Sequence, residues 1–364
     1  MSKLLEKYRT DLHQIPELGF EEFETKAYIL SQIKDYSCKI HEVGKTGLIV
    51  FFDNQEETTI AFRTDMDALP VTEENDVWYK SKHEGKMHAC GHDGHMAMML
   101  VFAKYLNENI QSLPKNVCLV FQPSEENRAG AHLIEKSNIL EDYSVKAIFG
   151  MHLWPGLDEG EIFSKADELM SQGSETNITI HGKTAHIASS ELGIDALEIA
   201  CRYIIDCYDF ERKMAPEVYR LLKFGVMNSG HARNIVSDKT ELLGTIRTFH
   251  KTTHHHIKHE IHQIADKYEE KYGCKFDFSY YDGYEAVVND KTIFERLSEK
   301  LPIHILEKPV MQSEDFSIYR HHIKEVFFFL GAGDVPSLHN GKFNFNMDIL
   351  ECGVALWKGI LEVF

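Results

Sequence analysis

The run TTIAFRTD, from Thr58 to Asp65, is the stretch from which the fold is read. Its apolar residues are nearly continuous rather than alternating, the pattern of a strand buried on both faces, and it ends in an acidic side chain. Four more runs share that pattern: GLIVFF (47–52), NVCLVFQP (116–123), VKAIFGMHLWP (145–155) and EVFFFLGAG (325–333). Segments of helical spacing lie between them, HMAMMLVFAKYLNENI (95–110) for one, so a central sheet covered by helices is the economical α/β reading. Upstream, LEKYRTDLHQIPELGFEEFETKAYILSQIKDY (5–36) reads as two helices with a break at Pro16.

The middle of the chain has a different rhythm. SETNITIHGKTAHI (174–187) alternates as a half-buried strand does, and DALEIACRYIIDCYDFERKM (195–214) is helical. RLLKFGVMN (220–228) and KTELLGTIRTF (239–249) are strand-like again; a long polar-faced helix, TTHHHIKHEIHQIADKYEEKYG (252–273), then leads into KFDFSYYDG (275–283). The order β, α, β, β, α, β is that of a small α+β sandwich of the split βαβ type. An inserted domain is therefore expected at 170–284, with the first domain formed by 1–169 and 285–364.

Composition sets bounds on function. The 364 residues are 43% hydrophobic and 26% charged, enough for a sizeable core and two domains. A formal net charge of -18 argues against nucleic acid and anionic membrane as partners, because both rely on clustered Lys and Arg. There is no apolar run of membrane-spanning length and the start is charged, so a cytoplasmic location is expected. Seven scattered cysteines without a CxxC pair give no disulfide framework.

In open α/β sheets ligands bind beyond the carboxyl ends of the strands, so the residues just after each apolar run are the ones to inspect. TTIAFRTD leads to Asp65 and Asp67, NVCLVFQPS to Glu125 and Glu126, VKAIFGM to His152, and EVFFFLGAGDVPSL to His339. MHACGHDGHM (87–96) adds Cys90, His92, Asp93 and His95 at a helix entrance. Thiolate, imidazole and carboxylate together suit Zn²⁺ or a neighbouring first-row ion rather than Ca²⁺ or Mg²⁺. The candidates suffice for two ions, and such a pair polarises a carbonyl and supplies a nucleophile near neutral pH. Taken singly, each has a commoner explanation: Cys90 as a buried hydrophobe, His152 as a packed strand-end residue, Glu125 and Glu126 as acids at a helix N-terminus. Their coincidence at separate strand ends is the signal. The richest histidine run, KTTHHHIKHEIHQ with His254, His255, His256, His259 and His262, lies far from every strand end and reads as a solvated helix face.

MHACGHDGHM, FQPSEE, GMHLWP, GTIRTF, SEDFS and LHNGKFNF, in this order, resemble the M20 metallopeptidase superfamily, specifically its aminoacylase, hippurate hydrolase and N-acetyldiaminopimelate deacetylase branch. DLHQIPELGFEE and TDMDALPV match the same branch, so the resemblance covers essentially the whole chain. It implies a catalytic domain holding two divalent ions, of zinc, manganese, cobalt or nickel, and an inserted lid domain through which a homodimer or higher oligomer forms. Position by position it implies Cys90, His92, Glu126, His152 and His339 as metal ligands. Glu125 matches the general base, and Asp67 an aspartate that orients a ligand. Asp65 stands where other branches place a ligating histidine, with Cys90 compensating. In the lid, His186 matches an oxyanion-stabilising histidine, which can serve a neighbouring subunit, and Asn234 and Arg247 match contacts to a substrate carboxylate. His88 and His95 are expected to pack or to orient neighbours.

The chain departs from the family at GKTAHIA, where GKGGHAA is usual, at SSELGID in place of a PHxxxDP segment, and at Asn127 and Arg128 after the acidic pair. These positions flank the expected substrate pocket, not the ligands. The expectation is thus a metal-dependent amidohydrolase acting on small N-acyl-L-amino acids, with N-acetyldiaminopimelate deacetylation as a sharper option. A dipeptidase or carboxypeptidase of the same superfamily, or an inert metal-binding relative, is the alternative.

Overall fold

The computed structural model describes the chain from Met1 to Phe364, apart from the side chains of Asn127 and Arg128. Two compact units form: Met1–Leu169 with Val288–Pro309 and Asp315–Phe364, and Met170–Val287 with Val310–Glu314.

The first unit is built on an eight-stranded sheet. In spatial order its strands are Lys39–Val43, Gly47–Phe52, Asn116–Gln122, Thr59–Asp65, Val145–Trp154, Lys324–Gly331, Ile162–Ser164 and Ile303–Ile305. The four from Asn116–Gln122 to Lys324–Gly331 are mutually parallel, and Gly47–Phe52 joins them antiparallel. The continuous apolar runs have their reason here, since every residue of Gly47–Phe52, Thr59–Asp65 and Asn116–Gln122 is buried. Helices α1 (Ser2–His13), α2 (Phe23–Ile33) and α3 (His92–Glu108) pack together, and the C-terminal helix Leu350–Val363 also lies against α3. Met96, Met99, Leu100 and Phe102 of α3 enter one core with Phe62, Phe149 and Trp357. Each such large side chain contributes about 1.5–3 kcal/mol on burial. The expected helix break falls between His13 and Phe23, on either side of Pro16.

In the second unit the strands Gln172–His181, Leu221–Ser229, Lys239–Thr248 and Lys275–Asp282 alternate with the helices Ala196–Lys213 and Lys251–Tyr272. The sheet order is Lys275–Asp282, Gln172–His181, Lys239–Thr248, Leu221–Ser229, with every neighbouring pair antiparallel. Both helices cover one face, where Ile178, Ile180, Leu242 and Ile246 meet Ile199, Tyr203, Ile257 and Ile261. Asp195 caps the first helix by accepting from the N–H groups of Leu197 and Glu198. The α/β class with a separate split βαβ-type unit is the fold observed. Among the described residues no helix is long and apolar enough to cross a membrane.

Candidate metal centre and active site

Because the four central strands of the first unit are parallel, their carboxyl ends open on one edge of the sheet, and the titratable residues collect there. Asp65 closes Thr59–Asp65, and Asp67 comes next in the loop. Gly91, at φ +88°, turns the chain between Cys90 and His92 so that α3 begins at His92. A β-carbon at Gly91 would sit 2.8 Å from Leu153 Cδ1, so glycine serves both the turn and the close approach.

Asp67 organises the centre twice over. Its carbonyl accepts from His92 Nδ1 at 2.8 Å, which sets the tautomer and leaves Nε2 free to face the cluster. Its carboxylate accepts from the backbone N–H of Glu125 and of Glu126, each at 3.0 Å, so the acidic pair is held by its main chain. His152 Nδ1 lies 2.6 Å from the Leu153 carbonyl, and its Nε2 is 3.3 Å from Cys90 Sγ. His339 Nε2 is 3.3 Å from Glu126 Oε1, and His92 Nε2 is 3.9 Å from the same oxygen. Among the described residues, ligand atoms within 4.8 Å of one another occur in several groups, among them Cys90–His92–His152, Cys90–Glu126–His339, His92–Glu125–Glu126 and Asp65–His92–His95. Cys90 belongs to the first two.

Two candidates at the α3 entrance are engaged elsewhere. His95 accepts from the Leu153 N–H through Nε2 at 2.9 Å, so its Nδ1 carries the proton and donates to Asp65 Oδ1 at 2.7 Å. Both nitrogens are used. Asp93 turns away to Arg9 Nε at 3.1 Å and His13 Nδ1 at 2.8 Å. His88 is buried 6.5 Å, ring to ring, from His13, and neither of its nitrogens has a hydrogen-bond partner among the described residues.

The electrostatics show a centre short of positive charge. Burial, and then the carboxylates of Glu126 and Glu125, push the Cys90 thiol far above its ordinary value. Burial also opposes a charge on His92, yet Asp65, Asp67 and Glu126 outweigh it and raise the imidazole to about 10. Burial drives His152 down to about 3, with His95 adding to the shift. His92 Nε2 and Glu126 Oε1 are buried without a hydrogen-bond partner. An orphaned imidazole nitrogen, an orphaned carboxylate oxygen and a thiol that needs a cation before it ionises are what a pair of divalent ions satisfies, so these residues fit the metals.

A supporting network is not evident from the sequence. Arg63, buried inside the apolar strand, donates to Asp65 Oδ2 at 2.8 Å, Gln122 Oε1 at 2.9 Å and Asp315 Oδ1 at 2.9 Å. Asp315 also accepts from the Ala131 N–H at 3.1 Å, which ties the segment after Glu126 to the sheet. A lone arginine within TTIAFRTD is the available signal, since a buried guanidinium requires carboxylates around it.

The remaining candidates lie in the second unit. His186 and Asn234 come together: His186 bridges Ile235, and the Ile187 N–H donates to the Asn234 carbonyl at 3.0 Å. Both side chains are exposed. Arg247 stands opposite Gly173, where a β-carbon would meet its Nη1 at 1.6 Å, and it donates to Ser313 Oγ at 3.2 Å. His186 and Asn234 lie beyond the Lys239 end of strand Lys239–Thr248, and Arg247 lies at the other. Strand rise puts about 25 Å or more between them. In the histidine-rich helix, His255, His256 and His259 are exposed, but His254 is not on the solvated face: it is buried, 3.3 Å from both Thr248 Oγ1 and Asp282 Oδ1.

A profile of peptidase family M20/M25/M40 matches residues 61–363. The chain belongs to this family. An uncharacterized hydrolase of Staphylococcus epidermidis is 33% identical to this M20 chain over 369 residues, covering 98% of this chain and 96% of that protein. The crystal structure of a protein from methicillin-resistant Staphylococcus aureus superposes with a TM-score of 0.90 at 27% identity, covering 100% of this chain and 96% of that one. The Bacillus subtilis YXEP protein, described as a dinuclear metal binding peptidase from the M20 family, gives a TM-score of 0.87 at 29% identity, with 100% and 99% covered. This M20 chain is thus a metal-dependent hydrolase, and the strand-end cluster is where its ligand chemistry is concentrated.

Proposed function

We propose that this M20 enzyme removes the acyl group from N-acyl-L-amino acids by attack of water on the amide carbonyl. The observation that carries the reading is the pair Glu125–Glu126, fixed through its backbone by Asp67: Glu126 joins the ligand group, and Glu125 adds a carboxylate beside it. Cys90, His92, Glu126, His152 and His339 would hold two divalent ions of zinc, manganese, cobalt or nickel. Such ions supply Lewis acidity for the carbonyl and lower the pKa of water. Glu125 takes a proton from the attacking water and passes it to the leaving amine, so one carboxylate is base and then acid. Arg247 and Asn234 bind the substrate carboxylate, for which a planar guanidinium is suited, and His186 stabilises the oxyanion.

The distance along the second unit's strand bears on assembly. His186 with Asn234 at one end and Arg247 at the other are too far apart to grip one small substrate from a single copy of this unit. A homodimer in which each copy lends its His186 end to the other's site resolves this. The edge strand Leu221–Ser229 and its neighbour expose Val226, Met227 and Leu243, which supports this unit as the dimer contact. Seven free cysteines fit a reducing cytoplasm.

The test is amine release from a panel of N-acyl-amino acids, including hippurate and N-acetyl-L,L-diaminopimelate, beside unblocked dipeptides, with stripped protein reconstituted with each ion in turn. Metal-dependent turnover of acyl substrates and not of dipeptides is expected. Turnover of dipeptides alone rejects the reading in favour of a dipeptidase, because the distinction lies in tolerance of a free α-amine on the acyl side.

A further inference from the structure

We propose that Arg9 is a positioning residue of the metal centre: it clamps the loop that carries His339 to the helix that carries His92, and thereby sets the affinity for the ion held through His339. The inference rests on the ligand assignment given above.

Arg9 lies on α1, far in sequence from both segments, and is 1% exposed. Its guanidinium spans them. Nε donates to Asp93 Oδ2 at 3.1 Å, on the residue next to His92, and Nη2 donates to Asn344 Oδ1 at 2.7 Å, in the loop beyond His339. Nη1 is 3.3 Å from the Tyr79 hydroxyl, and the guanidinium carbon sits 4.1 Å from the centre of the Phe345 ring. A fully buried arginine is costly to desolvate, and a planar fork with fixed donor directions is suited to holding two elements in register.

The loop needs such a hold. His339 has φ +64°, a left-handed conformation unfavourable for a residue with a β-carbon, which persists only where the surroundings impose it. Its own N–H donates to the Ala89 carbonyl at 2.9 Å. Further along, the Gly341 carbonyl accepts from the Glu74 N–H at 2.7 Å and the Phe343 carbonyl from Asn75 Nδ2 at 3.1 Å. These bonds tie the loop to the segments before α3. Arg9 adds the charged link to α3 itself, and His13 strengthens it by reaching from α1 to the same Asp93 oxygen at 2.8 Å. A ligand that is half-exposed, unlike its buried partners, depends on its loop for position.

The experiment is a metal titration of stripped protein against a competing chromophoric chelator, with hydrogen exchange of the metal-free protein beside it. Wild type should bind two ions, and His339→Ala one; if His339→Ala keeps both, the ligand assignment itself fails, whatever Arg9 does. Given that loss, Arg9→Lys, which keeps the charge near Asp93 but not the fork, should weaken the His339 ion by about tenfold or more and leave the other within about twofold. Asn344→Ala removes only the loop end of the link, so it serves if Arg9 variants fold poorly; the same selective loss is expected. The double variant should be no weaker than the worse single one, and the Phe343 and Phe345 amides should exchange faster before any metal is added. Wild-type affinity for both ions, equal weakening of both, or effects that multiply would each overturn the proposal.

Discussion

Two stretches of this chain are dense in histidine, and they meet opposite ends. Every residue from Met87 to Met96 is buried, and this stretch delivers Cys90 and His92 to a centre completed by side chains from three other segments. KTTHHHIKHEIHQ carries more imidazoles, yet its helix turns His255, His256 and His259 outward and commits His254 to Thr248 and Asp282. The difference is one of convergence. A helix alone spaces its side chains around a cylinder, whereas four parallel strand ends aim separate loops at one point. Density of ligand types in sequence therefore does not by itself bring them together, whereas placement beyond the strand ends does so here.

That contrast can be broken or sharpened by substitution. The largest effect is expected for Glu125→Gln, which should lower turnover by about 10²–10⁴-fold with both ions still present by elemental analysis. Undiminished turnover would remove Glu125 from the chemistry. Next comes Cys90→Ala: because Cys90 belongs to the group with His92 and His152 and to the group with Glu126 and His339, affinity for both ions should fall, by about 10–100-fold or more, in a chelator competition. Tight retention of two ions would show that the thiol is a buried hydrophobe after all.

A smaller effect belongs to the second unit. Burial works against ionisation of Asp282, but Lys258, Ser174 and His254 outweigh it and hold its carboxyl at about 2. Its stabilisation is complete above the ordinary carboxyl value of 3.8 and fades as pH falls through about 2. Asp282→Asn should flatten that acid limb of urea unfolding slightly, since the carboxyl is half-exposed and screened. An unaltered limb would show that the Asp282 carboxylate adds nothing to stability through these partners. The least effect is expected where histidines are most numerous: changing His255, His256 and His259 together to alanine should leave metal content and turnover as they were. A loss of bound metal there would end the contrast.

Much of this was legible in the chain. Continuous apolar runs marked the buried parallel strands because a strand covered on both faces has no polar face to show, and the residues at their ends were the ones brought together. His95 and Asp93 show where legibility stopped. They stand beside His92 and are chemically apt as ligands, but one spends both nitrogens on Asp65 and Leu153, and the other is turned toward Arg9 and His13. Local sequence carries no record of such partners, which come from segments far away. Arg63 and Asp315 were hidden likewise, although a charged residue inside an apolar strand is itself a mark of a distant counter-charge.

Periodicity determined the strands and helices of both units, because side-chain burial repeats with the backbone geometry of each element, while the ordered motifs carried the likeness to the family. Which of 21 histidines became candidate ligands, and which became hydrogen-bonded supports, was decided only when the strands aligned in parallel and their loops met. A ligand's role depends on the direction of its free lone pair, and that is set by whichever distant group takes the other nitrogen.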